Sequence, residues 1–248
     1  MKPLLALLAF AFAAPAAEHR YDAFAKCVLP FLNVFAKERK TDEQAFALKV
    51  RIEQGSDIPK EFLNAPAEIA LQVPDKLRLR GPLRGETITL MRVGQTLSAQ
   101  PGATARALLD AATAGKSLPP PEKGFELGDF KLPFPEKELV FLATIFDVKD
   151  LGSELLDGVE CRVLDVKLMP ELAAELDGPP WIARLWISPD HKPARLSLAR
   201  KGWHLVLRFD EVQFAKALPP ETWQPGEDAL KLRAKDYSRF LRAIGGAK

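Results

Sequence analysis

The fold is decided by the stretch EIALQVPDKLRLR, residues 68–80, in which apolar and polar side chains alternate. Ile69 and Leu71 occupy one phase of this pattern, and after a Pro-Asp turn Leu77 and Leu79 occupy it again. Successive side chains of a strand point to opposite faces of a sheet, so the stretch predicts two half-buried antiparallel strands joined by a tight turn.

The same two-residue period extends in both directions along the chain. Leu48, Val50 and Ile52 predict a strand before this stretch, and Ile88 and Leu90 predict one after it. Further strands are predicted over residues 96–100, 159–168, 181–187, 195–199 and 204–209. The alternation therefore predicts roughly eight to eleven antiparallel strands, each apolar on one face and polar on the other.

A single sheet of that many strands does not stay flat. Twist accumulates at about 20° per strand and curls the sheet toward a barrel. The apolar phase then lines a concave trough, and the charged phase covers the back. We expect an α+β fold in which a curved antiparallel sheet forms an open half barrel with lidding helices.

Helical periods flank the predicted strands. Phe24, Val28, Phe31 and Phe35 recur at three- and four-residue steps, with Pro30 either kinking that helix or opening a second piece. Other helices are predicted over residues 103–115, 136–145, 170–176 and, at the C-terminus, 228–244. The proline-rich segment 117–135 predicts a long loop over a surface or a pocket mouth.

The N-terminal run 1–17 has the pattern of a cleaved secretory signal peptide. Lys2 supplies the positive charge, Leu4 to Ala13 the apolar segment, and Ala14 and Ala16 the small residues before the cleavage site. A bilayer crossing needs about 20 apolar residues, more than this run contains. We therefore expect a periplasmic protein whose mature part, residues 18–248, is one domain.

Composition restricts the partners. The chain has 35 basic and 33 acidic residues and is 47% hydrophobic. This balance does not favour nucleic acid or a polybasic membrane patch, and it directs the search for partners to apolar surface. We expect a monomer.

Two cysteines, Cys27 and Cys161, leave two alternatives open. In an oxidising compartment they form a disulfide if the fold brings them together, or else they are two buried thiols. No CxxC pair is present, so the usual zinc and redox spacings are missing.

The chain offers little for catalysis. His19, His191 and His204 are scattered, and no GxSxG, HExxH or P-loop pattern occurs. We expect no enzymatic activity, no cofactor and no metal site. The basic row Lys76, Arg78 and Arg80 is interpreted as a solvated strand face, with docking to an acidic partner or lipid phosphate as the alternative.

Several short motifs resemble the LolA-type periplasmic lipoprotein carriers. Those proteins have a leading strand, an R-P-x-x-[FL]-R strand, a D-G-K-T-L turn, a W-I-D strand end and a closing L-P-x-x-x-F-x-x-P. The corresponding stretches here are FALKV (46–50), VPDKLRL (73–79), GQTL (94–97), LDGVEC (156–161), WISPD (186–190) and LPPETWQP (218–225).

The resemblance implies an open half barrel whose helices cover an apolar cavity that shelters lipoprotein acyl chains. The chain departs from the carriers at two positions. Val73 stands where they have the arginine that helps release cargo, and Val93 stands where they have the turn aspartate.

The apolar phase of the strands supplies the candidate ligand-binding residues. They are Leu48, Val50, Ile52, Ile69, Leu71, Leu77, Leu79, Ile88, Leu90, Trp181, Leu185, Trp203, Leu205 and Leu207. The tryptophans are interpreted as core residues or trough walls.

We expect a binding or carrier protein for a lipid or an acylated lipoprotein, acting in transport and outer membrane biogenesis. The alternative is an envelope interaction or stress-sensing module that uses the same fold to bind a membrane protein partner.

Overall fold

The computed structural model describes residues 20–36, 42–83, 85–113, 126–132, 135–139, 145–169 and 181–234. The helices are α1 (Arg20–Phe35), α2 (Gly102–Thr113) and the short α3 (Glu136–Leu139). The strands are β1 (Ala45–Gly55), β2 (Pro66–Gln72), β3 (Lys76–Leu83), β4 (Glu86–Val93), β5 (Thr96–Gln100), β6 (Phe146–Leu156), β7 (Val159–Leu168), β8 (Ile182–Ile187), β9 (Pro193–Arg200), β10 (Trp203–Ala215) and β11 (Leu230–Arg233). Two 3₁₀ turns span Lys60–Phe62 and Pro220–Trp223.

The strands form one sheet in the order β11-β5-β4-β3-β2-β1-β10-β9-β8-β7-β6. This order contains two five-stranded meanders, β1 to β5 and β6 to β10, joined where β1 pairs with β10. The paired strands are antiparallel throughout, and in the described part β6 and β11 form the two edges. The predicted α+β class with an open, curved half barrel is confirmed.

The joint between the meanders is bent by an irregular register. Lys49 pairs with Glu211 and Val50 pairs with Phe209, which leaves Asp210 as an extra residue in β10. Such a bulge increases the local twist of a strand pair. The carboxylate of Asp210 accepts hydrogen bonds from Nε and Nη2 of Arg51, at 2.8 and 2.6 Å. The bulge therefore lies at the centre of the sheet, where the two halves turn toward each other.

Helix α1 covers part of the concave face. Its first half packs Ala23, Phe24 and Cys27 against Leu164 of β7 and Leu185 of β8. Burial of this cluster anchors the second meander to the helix, and Pro30 lies inside one continuous helix instead of opening a second.

The second half of α1 reaches the centre of the sheet. Phe31 meets Phe214 of β10 and Phe46 of β1 edge to face, with ring centroids 4.8 and 5.5 Å apart. Val34 and Phe35 complete the same cluster, together with Leu71 of β2. The predicted phenylalanine stripe is therefore the layer that covers the middle of the trough.

The convex face carries ion pairs and two smaller apolar clusters. Trp223 and Leu218 pack on Ala45, Ala70 and Met91, and Cys161 packs with Val163 and Trp186. The ion pairs include Lys49–Glu211, Arg51–Asp210, Arg80–Glu68, Arg184–Asp165 and Arg195–Glu53. Arg195–Glu53 is half-buried, whereas exposed pairs such as Lys49–Glu211 contribute roughly 0–1 kcal/mol each, so burial on the concave face is the larger source of stability.

The C-terminal helix and the set of predicted strands require correction. The C-terminal helix predicted over 228–244 is wrong for residues 230–233, because they form β11 and pair with β5. Strand β6 lies outside the predicted strands and pairs with β7 over its full length.

Other predictions fall wholly or partly outside the described residues. The signal peptide 1–17 and the helix at 170–176 lie outside them, as do most of the loop 117–135 and the part of the C-terminal helix after Ala234.

The possible disulfide between Cys27 and Cys161 is not formed, because both thiols are free and buried. Cys27 packs on the concave side with Leu164, whereas Cys161 packs on the convex side with Val163. The sheet therefore lies between the two sulfur atoms. Burial, with a smaller contribution from Asp190, raises the pKa of the Cys27 thiol to about 12, and burial also raises the pKa of Cys161.

Substitution Leu164→Ala should lower the free energy of unfolding by about 3 kcal/mol, because Leu164 is fully buried beneath α1. Urea denaturation measures the change. The control is Leu155→Ala on the neighbouring strand, whose side chain is 71% exposed and whose loss should cost no more than about 0.5 kcal/mol. Equal losses in the two variants would contradict the placement of the core.

Iodoacetamide at pH 8 should leave both cysteines unmodified in the native protein and modify both in urea, as read by intact mass. A mass that rises on reduction would reveal a disulfide and contradict the structure. Because the folded state raises the pKa of Cys27 from its ordinary 9.0, its contribution to stability is present below pH 9 and is lost as the pH rises toward about 12.

Candidate functional site

The part of the concave face formed by β3, β4, β5 and β11 bounds an apolar cavity of about 360 Å³, with α2 on its other side. This volume lies within the range of about 300–1,000 Å³ typical of small-molecule sites. Its sheet residues include Leu77, Leu79, Leu83, Ile88, Leu90, Leu97, Ala99, Leu230 and Leu232, and α2 adds Ala105, Leu108 and Leu109. The lining is almost entirely aliphatic.

Leucines from neighbouring strands face each other across the cavity floor. Leu79 of β3 lies directly opposite Leu90 of β4 in the register, and their side chains remain 37% and 48% exposed. Large aliphatic side chains on the inner face of a sheet are ordinarily buried by a second layer. Here two adjacent leucines lack full cover, so the cavity has an open apolar floor.

Helix α2 begins very close to the segment that leads into β11. A Cβ atom at Gly102 would collide with the backbone oxygen of Asp228. Glycine is therefore required for the start of α2 to approach β11. This contact places Ala105, Leu108 and Leu109 over the strands and gives the cavity its second wall.

One charged residue lies among these apolar residues. Arg92 of β4 is 8% exposed and lines the cavity between Leu77 and Leu97, its cross-strand neighbours. Its guanidinium lies 4.7 Å from the ring centroid of Phe130. The segment 126–132 thus passes close to the end of β4.

The structure distributes the fourteen predicted trough residues over three environments. Leu77, Leu79, Ile88 and Leu90 line the cavity. Leu48, Ile69, Leu71 and Leu185 pack in the clusters beneath α1. Val50 is buried in β1. The other five residues line neither the cavity nor the clusters beneath α1 and lie on or beside β1, β8 and β10: Ile52, Trp181, Trp203, Leu205 and Leu207. The apolar phase is thus divided between core and cavity.

The tryptophan side chains contact side chains from other strands. Trp181 and Trp203 contact each other edge to face at 5.3 Å, with the Arg200 guanidinium 4.7 Å from the Trp181 ring. On the convex face, Nε1 of Trp186 donates to Glu154 at 2.8 Å.

The basic side chains on β3 form ion pairs and a cation–π contact with neighbouring residues. Arg80 and Arg78 both pair with Glu68, at 2.9 and 3.8 Å, and Nζ of Lys76 lies 5.7 Å from the Trp223 ring centroid. Such contacts with local partners are typical of a solvated strand face.

Among the described residues that line the cavity there is no histidine, cysteine or carboxylate. His204 Nδ1 shares a hydrogen bond of 2.9 Å with Ser56 Oγ, which also accepts the His204 backbone N–H at 3.0 Å. These bonds tie the turn after β1 to β10. Within the described ranges, no group of three or more His, Cys, Asp or Glu side chains could hold a metal ion. None of the described helices is both long and apolar enough to span a bilayer.

No family model and no curated protein sequence matches the chain. Among solved structures it is similar to the lipoprotein LppX of Mycobacterium tuberculosis, with 11% identity and a TM-score of 0.41 over 80% of this chain and 96% of that one. A chain of the Pseudomonas aeruginosa MucA/MucB complex gives 14% identity and a TM-score of 0.44, over 86% and 63%.

A LolA superfamily protein from Nitrosomonas europaea gives 10% identity and a TM-score of 0.31, over 79% of this chain and 96% of that one. These likenesses concern the fold alone.

Proposed function

We propose that this chain is an envelope protein that binds the acyl chain of a lipid or lipoprotein in the cavity between β3–β5, β11 and α2. The observation that carries the proposal is the open aliphatic floor formed by Leu79 and Leu90. An acyl chain would supply the second layer that these side chains lack.

The free energy of burial is sufficient for binding. Each methylene removed from water contributes about 0.8 kcal/mol. A segment of about ten methylenes then contributes on the order of 8 kcal/mol, before the costs of association and of ordering the chain. No catalytic step is required, and the nearly uniform aliphatic lining suits a flexible, unbranched ligand.

The proposal includes the location of the protein. Export through the signal peptide of residues 1–17 would place a single mature domain, residues 18–248, in the periplasm. A carrier there would meet acylated lipoproteins between the membranes and would contribute to outer membrane biogenesis.

Lipid analysis of the protein purified without detergent from its native periplasm tests the proposal. We expect acyl species near one per chain, detected by native mass spectrometry and by mass spectrometry of the solvent extract. Protein free of lipid that also fails to bind added acyl chains would contradict the proposal and favour the interaction module.

Substitution Leu90→Asp should weaken binding of the fluorescent probe N-phenyl-1-naphthylamine at least about tenfold, because it places a carboxylate on the apolar floor. The matched control is Leu155→Asp, an exposed leucine of β6 outside the cavity. Its probe affinity should equal that of the unmodified protein. Similar probe affinities for the two variants would show that the probe binds elsewhere.

A further inference from the structure

Arg92 interrupts the apolar phase of β4. Ile88, Leu90 and Arg92 follow one another at two-residue steps, so the guanidinium projects from the concave face beside the leucines. A charged group buried among aliphatic side chains is costly unless its donors and its charge are satisfied.

The donors of Arg92 are satisfied only in part. Nε donates to the Gly94 carbonyl at 3.0 Å, and Nη2 donates to the carbonyls of Leu127 and Gly128 at 3.2 and 2.7 Å. A guanidinium has five N–H groups, two of them on Nη1. In the described part of the chain, Nη1 has no hydrogen-bond acceptor, and it is not among the fully buried atoms that lack a partner, so it lies where water or a ligand in the cavity can reach it.

The charge of Arg92 also lacks a counter-ion. Many other arginines of the sheet have a carboxylate within 4 Å, including Arg51, Arg80, Arg184 and Arg208. Among the residues that the structure describes, Arg92 has carbonyl oxygens and the Phe130 ring as its partners, but no carboxylate. An anion bound at Nη1 would compensate this buried charge.

We propose that Arg92 binds the anionic head of a single-chain amphiphile, a carboxylate or a phosphate, whose acyl chain occupies the cavity. The proposal rests on the proposed function and adds the chemistry of the ligand head. The acyl chain lies along Leu79 and Leu90, and one or two oxygens of the head accept the Nη1 hydrogens. Nη2 meanwhile holds the guanidinium against the 126–132 segment, and Nε holds it against the Gly94 carbonyl.

The test measures displacement of N-phenyl-1-naphthylamine from the delipidated full chain by laurate, dodecyl phosphate and 1-dodecanol at pH 8. These ligands share a twelve-carbon chain and differ in the charge of the head. Laurate and dodecyl phosphate should bind at least about tenfold more tightly than dodecanol. Acetate and inorganic phosphate at the same concentrations should not displace the probe.

Substitution Arg92→Met should remove this preference, with laurate affinity falling about tenfold and dodecanol affinity unchanged. Arg92→Lys keeps the charge and should retain part of the preference, which makes it the second variant if the methionine variant does not fold. Arg78→Met, on the neighbouring strand but the convex face, is the matched control and should bind like the unmodified protein.

Gln95→Ala separates anion binding from attachment of the 126–132 segment. Gln95 exchanges two hydrogen bonds with Leu127, at 3.0 and 2.8 Å, and does not line the cavity. This variant should keep the preference for the anionic ligands. Loss of the preference in both Gln95→Ala and Arg92→Lys would assign Arg92 a structural role only and overturn the proposal.

The remaining outcomes are also decisive. Equal binding of laurate and dodecanol to the unmodified protein would overturn the role of Arg92 and leave acyl-chain binding standing. Displacement by inorganic phosphate alone would indicate a free-anion site and overturn the amphiphile. Failure of all three twelve-carbon ligands to bind would overturn the proposed function itself.

Discussion

The structure depends on how far one phenylalanine-rich helix can cover a sheet of eleven strands. Helix α1 buries its apolar stripe against β7 and β8 at one end and against β1, β2 and β10 at the other. Leu79 of β3 and the concave faces of β4 and β5 lie outside these clusters and receive the shorter α2. Since apolar side chains line most of the concave face, partial cover leaves an apolar cavity. The position of α1 therefore decides which leucines form core and which remain available to a ligand.

The alternation of residues predicted the strands that are half buried. In β1 to β5 and β7 to β10 one phase faces α1 or the cavity and the other lies on the more polar convex face, so the period of two is visible in the sequence. Strand β6 was not predicted because residues 149–155 are exposed on both faces of the sheet and do not alternate between apolar and polar side chains. Strand β11 was not predicted because Leu230 and Leu232 lie at the start of a run whose later residues repeat with a helical period. Pairing with β5 prevails over that local preference.

The candidate site was predictable in kind but not in extent. The sequence placed Leu77, Leu79, Ile88 and Leu90 in a trough, yet it could not divide the trough between helix-covered and open regions, because that division depends on tertiary packing. Arg92 carried a signal that was missed, since a charged residue in the apolar phase of a strand is unusual. The residues contributed by α2 and β11 required the contact at Gly102, which no local pattern reveals.

The most direct measurement is an isotope-filtered NOE experiment on the protein with ¹³C-labelled leucine methyl groups and a bound, unlabelled lauroyl chain. Acyl binding in the cavity predicts intermolecular NOEs to the methyl groups of Leu79, Leu90, Leu97 and Leu232, and none to those of Leu155 or Leu164. NOEs confined to leucines outside the cavity, or no NOEs at saturating ligand, would contradict the assignment of the open half of the sheet as the binding site.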